Sequence, residues 1–177
     1  MEQRDEEYTR EFNLLKKQKG FQKIIYFSSS SVCDENDNRK YIKHKRNIEN
    51  FIVNNFEKYL IFRFPQILGF GGNKNNLVNY ICNKLKNDEL ITIKKVRRSI
   101  VDIEDVVDIV NKSISEKNKI LNFFGYEQIY VKELVFSIAQ ILKIKNPKII
   151  EVETQPTNEY ISYIEGYTNK VLKKYLK

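Results

Sequence analysis

Two cysteines, Cys33 and Cys82, are too few and too unpatterned for a disulfide scaffold or a zinc site. They read as free structural thiols of a reducing compartment. His44 is the only histidine, which supports neither a metal site nor a catalytic triad; an exposed or substrate-side imidazole is expected. No apolar run approaches the length needed to span a bilayer, and the opening MEQRDEEYTR is charged, so neither a transmembrane segment nor a signal peptide is read. A cytoplasmic location is the expectation. The formal net charge is +8, yet the lysines are scattered and no compact Arg-rich patch interleaved with aromatics accompanies them. Lys, Ile and Asn are abundant together, as an AT-rich coding bias would produce. The charge therefore suits a small anionic diphosphate ligand as well as a nucleic acid, and nucleic acid is not the expected partner. There is no internal repeat and no low-complexity tract.

What is present is a set of short apolar runs alternating with amphipathic segments. A chain of 177 residues supports one domain with a sizeable core. Lys23–Ser28, Tyr59–Phe64 and Ile120–Phe124 read as parallel strands of one sheet, and Leu90–Ile93 as a further short strand. The nearly continuous apolar run YLIFRF suits a strand covered on both faces. Helices are expected over residues 2–19 (Tyr8, Phe12 and Leu15 inward, Gly20 as the stop) and 41–56 (Ile48, Phe51, Ile52 and Phe56 inward). Others are expected at Leu77–Leu85, from Asp102 as the cap to Ile114, over Val131–Leu142, and at the end around Val171, Leu172, Tyr175 and Leu176. The stripe Ile103, Val106, Val107, Val110 and Ile114 is the expected core face of the fourth.

The chemistry concentrates in residues 23–45, KIIYFSSSSVCDENDNRKYIKHK. The first strand ends in four serines, Ser28 to Ser31, which presents their hydroxyls where the strand stops. Tyr41 and Lys45 then lie one turn apart on a helix face. A free phenol has a pKa of about 10; an ammonium one turn away favours the phenolate and is expected to pull that value toward neutrality. A serine hydroxyl can hold a substrate oxygen while the tyrosine exchanges a proton with it.

This strand–SSSSV–loop–YIKHK arrangement resembles the extended branch of the short-chain dehydrogenase/reductase superfamily, the nucleotide-sugar epimerases, dehydratases and reductases. RFPQILG is similar to that family's Arg-aromatic-x-Asn-x-x-Gly segment, with Gln66 at the asparagine position. RRSIVDIEDVV is similar to its Arg-Asp-aromatic-Val-His-Val-Asp-Asp-Val box, with Ser99 for Asp and Asp102 for His. The resemblance implies an α/β fold, a partial Rossmann-like parallel sheet with flanking helices. Residues 1–65 would be the remaining part of that sheet, with the Ser/Tyr/Lys site, and residues 66–177 the substrate-binding part. It implies Ser29, Tyr41 and Lys45 as catalytic residues, with Ser31 the substitute for Ser29. Ser28, Tyr41, Lys45, Phe64 and Pro65 would border NAD or NADP, and Ser31, Gln66 and Arg98 a nucleotide-sugar substrate. The loop Cys33–Lys40 is shorter than in family members that handle large sugars.

Gly69-Phe70-Gly71-Gly72 lacks the third spaced glycine at a helix start that a dinucleotide loop needs, and it reads as a flexible substrate-side loop leading to Asn73. The family's opening strands and glycine turn have no counterpart. The cofactor is thus expected only if that half is supplied, for instance as a separate polypeptide; a homodimer through helices 2–19 and 41–56 is a further expectation. The alternative is a truncated, non-enzymatic remnant or interaction module of the same fold.

Overall fold

The computed structural model describes residues 2–18, 20, 23–71, 76–153 and 164–176. Gly72, Asn73 and Lys19, which belong to two of the segments read above, lie outside the described residues. The chain divides into two compact units. Met1–Phe64 together with Val110–Phe123 form the first; Pro65–Ile109 together with Phe124–Lys177 form the second.

In the first unit, β1 (Ile24–Ser29), β2 (Tyr59–Phe64) and β7 (Lys119–Asn122) form one parallel sheet in the order β1-β2-β7. The register sets Ile24 beside Tyr59, Ser29 beside Phe64, and Ile61 beside Ile120. These are the three strands expected from the apolar runs, in the expected parallel sense, although Phe123 and Phe124 fall beyond the last. The alternation of a strand explains the two faces. Tyr26 and Ile61 point to the side where α1 (Glu2–Lys17) and α2 (Lys40–Asn55) lie, packing with Ile48 and Ile52 of α2 and with Phe12 and Leu15 of α1. On the other face Phe27, Phe62 and Phe64 stack with ring centroids 5.6 to 6.3 Å apart. Ile42, Ile48 and Ile52 make the buried stripe of α2. Glu49 shares that stripe because Arg63 of β2 meets its carboxylate with two nitrogens, Nε at 3.1 Å and a terminal nitrogen at 2.5 Å.

The second unit is built on an aliphatic core. β4 (Ile91–Lys94) pairs in parallel with β9 (Ile149–Val152), and β3 (Gln66–Leu68) with β6 (Ile100–Asp102); β5 (Arg97–Arg98) pairs antiparallel with β8 (Ile129–Tyr130). α3 (Leu77–Lys86), α5 (Val131–Ile141) and α6 (Tyr167–Tyr175) bury Val78, Ile81, Leu85, Leu134, Val135, Ile138 and Leu172 against Ile91 and Ile100. The helix starts are satisfied by side chains. Asn76 accepts the Asn79 N–H at 2.7 Å, and the buried Glu127 accepts those of Gly166 and Thr168, both at 2.7 Å. Gly125 has two reasons to be glycine. Its φ of +92° lies in the left-handed region, and a Cβ there would sit 2.6 Å from Ser99 Cβ.

α4 (Ile103–Ser113) crosses from one unit to the other. Asp102 caps it by accepting the Glu104 N–H at 3.0 Å. Its expected core face is corrected: Val106 is buried, but Ile103, Val107 and Ile114 are exposed. A stripe of β-branched residues at helical spacing states which face is apolar, not how much of it is covered.

Candidate active site

Ser29 ends β1 and caps the short 3-10 turn Ser30–Cys33, its Oγ accepting the Ser31 N–H at 3.3 Å. Tyr41 is the second residue of α2, and the Ser29 side chain is among the groups that act on its phenol. The tyrosine is 40% exposed. Ser28, one residue earlier, turns inward; its hydroxyl is buried and has no hydrogen-bond partner among the described residues.

Lys45 follows one turn after Tyr41, with its ammonium 6.0 Å from the Tyr41 ring centre. That ammonium donates to the Tyr26 hydroxyl at 2.7 Å and to Glu11 Oε1 at 3.1 Å. The Tyr26 hydroxyl donates to the same Glu11 oxygen at 3.0 Å, and Glu11 Oε2 meets His44 Nε2 at 2.5 Å. Of the two placements expected for His44, the exposed one is corrected: the imidazole is stacked against Tyr8, with ring centroids 4.1 Å apart, and its side chain is 10% exposed.

The electrostatics follow from this wiring. Burial pushes Glu11 up, but the hydrogen bonds from His44 and Lys45 and the Lys45 charge outweigh it and hold the carboxyl below its ordinary range. Burial and then the Glu11 charge push the Tyr26 phenol far above its ordinary value. Tyr41 is also raised, by burial first and the Glu11 charge second, with the Ser29 contact working the other way. The expected depression of Tyr41 by Lys45 is corrected here, because burial of the phenol comes first and the lysine charge is matched by the Glu11 carboxylate.

The remaining candidates are spread over both units. In the first, Ser31 sits half-buried in the 3-10 turn, and Phe64 is a packing residue, 2% exposed and stacked on Phe62. In the second, Pro65 Cγ lies 3.6 Å from where a Gly125 side chain would begin. Gln66 opens β3 with a buried Nε2 that has no partner among the described residues. Arg98 is half-buried in β5 and donates to the Arg97 carbonyl at 2.9 Å. Glu11 and Tyr26 are what residue-by-residue reading missed. Glu11 is one of several acidic residues on α1, and only its position one helix turn past Tyr8 hints at the inward face. Among the described residues no cluster of His, Cys, Asp and Glu could hold a metal, and no helix is long and apolar enough to cross a membrane.

Neither a protein-family model nor a curated protein matches the chain. Solved structures do. RMD from Pseudomonas aeruginosa complexed with NADPH is 16% identical, with a TM-score of 0.67 over 93% of this chain and 70% of that one. The dTDP-glucose 4,6-dehydratase from Bacillus anthracis, in complex with NAD, is 13% identical, with a TM-score of 0.70 over 96% and 65%. The UDP-N-acetylglucosamine 4-epimerase from Methanobrevibacter ruminantium, in complex with UDP-N-acetylmuramic acid, is 16% identical, with a TM-score of 0.66 over 90% and 63%. The chain thus has the fold of part of the Rossmann-type, NAD-dependent epimerases and dehydratases, as the sequence resemblance implied. It spans 59 to 70% of the length of the solved structures described with it.

Proposed function

We propose that this chain is the catalytic and substrate portion of an NAD- or NADP-dependent enzyme acting on a nucleotide sugar in the cytoplasm, with proton transfer carried by Tyr41, Ser29 and Lys45. The observation that carries the reading is that Ser29 ends a parallel strand while Tyr41 opens α2 with the Lys45 ammonium 6.0 Å from its ring centre, in a fold shared with enzymes of that class. Ser29 would hold a sugar hydroxyl or keto oxygen, and Tyr41 would give a proton to that oxygen or take one from it. Gln66 and Arg98 supply an amide and a guanidinium suited to the sugar and its diphosphate.

The residues present fit the nicotinamide riboside end of such a cofactor. Among the described residues the Ser28 hydroxyl is buried without a partner and two of the three N–H bonds of Lys45 are used, which leaves one for a ribose hydroxyl. When bound, the nicotinamide supplies the hydride donor or acceptor at the sugar carbon. The pyrophosphate end needs a turn of spaced glycines at a helix start; Gly69 and Gly71 fall between β3 and α3 and Gly166 caps α6, but neither place carries three spaced glycines. A further polypeptide segment, in the same chain or another, would provide it. The outward face of α1, with Glu6, Arg10, Leu14 and Lys17, carries both charge signs and suits a second copy packed antiparallel.

Tyr41→Phe tests the reading, because it removes only the ionisable hydroxyl. In protein reconstituted with the cofactor-binding segment, turnover of a nucleotide sugar is expected to fall by roughly two orders of magnitude or more, with the far-UV spectrum unchanged. Unchanged turnover would remove Tyr41 from the chemistry.

A further inference from the structure

Glu11 stands on the seam of three elements, and each gives it a partner: α1 carries it, β1 brings Tyr26, and α2 brings His44 and Lys45. The His44 and Lys45 side chains are only 10% and 14% exposed, so charges interact more strongly here than on an open surface. An unpaired ammonium in this place would act on Tyr41 one turn away. Instead its charge is matched by the carboxylate, and both its observed bonds point to Glu11 and Tyr26. The α1–α2 contact does not depend on this cluster alone, since Phe12 and Phe51 also meet across it, with ring centroids 4.7 Å apart.

We propose that Glu11 is a positioning residue of the Tyr41 site: by pairing with Lys45 it fixes where that ammonium points and offsets the charge it would otherwise present to the phenol. This rests on the reading of Tyr41 as the acid–base group and adds α1 to the apparatus. The groups that act electrostatically on the Tyr41 phenol are Glu11 and Tyr8 from α1, Ser29 and Tyr26 from β1, and Arg39 at the start of α2, and the Lys45 ammonium lies 6.0 Å from its ring centre. Ser29 and Arg39 favour the phenolate, whereas Glu11 and Tyr8 oppose it. Of the opposing pair, Glu11 is the one that also controls the lysine.

A carboxylate that merely clipped α1 to α2 would affect stability and leave the phenol alone. Titration of tyrosinate absorbance separates the two cases. The purified 177-residue chain and its Glu11→Gln variant are each measured with and without Tyr41→Phe, so that the difference isolates one phenol among the eleven tyrosines. Glu11→Gln is expected to lower the Tyr41 midpoint by about one pH unit, since it removes an opposing charge and releases a cation together. If the carboxamide does not fold, Glu11→Asp draws the same charge back and is expected to lower the midpoint by less. A midpoint that stays or rises in either folded variant overturns the proposal. The measurement needs neither cofactor nor turnover, so its failure is distinct from an active Tyr41→Phe enzyme.

Discussion

The two units use their interiors differently. The second buries aliphatic side chains from three helices and satisfies its polar groups at helix starts, where carboxylates and amides cap backbone N–H groups. The first has a small apolar cluster around Tyr26, Ile48, Ile52 and Ile61, flanked by two ionic assemblies: Glu11 with Lys45 and His44, and Glu49 with Arg63. Aliphatic packing contributes stability at low risk, whereas buried charge contributes little net stability and much positional definition. In the region that carries the candidate acid–base residues the buried carboxylate, Glu49, meets a guanidinium, whereas the buried Glu127 of the second unit meets backbone N–H groups.

The contrast can be broken most forcefully at Glu49, which is 3% exposed and paired with Arg63. Glu49→Ala leaves a guanidinium without its counter-ion and is expected to cost about 3 to 5 kcal/mol. Urea unfolding followed by circular dichroism reads the loss; a cost below about 1 kcal/mol would mean that the pair is effectively solvated. In the second unit Leu134→Ala removes a fully buried side chain and is expected to cost about 2 to 4 kcal/mol by the same measurement. It should leave hydrogen exchange in β1 and β2 less affected than Glu49→Ala does.

The smallest effect is the pH dependence of Glu11. Its folded pKa lies below the ordinary 4.5, so its contribution to stability is complete above about that pH and is lost as the pH falls through the lower folded value. The side chain is about one-third exposed, so the contribution should not exceed about 1 kcal/mol. The difference in unfolding free energy between the chain and Glu11→Gln should hold from pH 7 to 5 and close toward pH 3. A difference that grows on acidification would reverse the assignment.

Legibility in the sequence followed the same division. β1, β2 and β7 were readable because short apolar, β-branched and aromatic runs bounded by polar residues favour strands, even though Ile25, Phe27 and Ile120 are exposed, and α2 because Ile48 and Ile52 keep helical spacing. β3, β5, β6, β8 and β9 were not, since two to four residues carry no period of their own and their pairing is set by distant partners such as Ile129 for Arg98. The positions of Ser29 at a strand end and Tyr41 at a helix start were legible because both are local features. The partner of Lys45 was not, because Glu11 lies more than thirty residues away on a helix full of acids. The burial of His44 depended on that same distant helix.

The sheet of the first unit draws its third strand from beyond residues 65–109, all of which belong to the second. During synthesis β1 and β2 emerge long before Lys119–Asn122, so the sheet waits as a two-stranded ribbon while most of the other unit leaves the ribosome. A nascent chain stopped after Phe64 has lost a ladder and not merely a tail. Completion of the first unit is therefore timed by translation of the second, and a pause before Lys119 holds the Tyr41 region on an unfinished sheet.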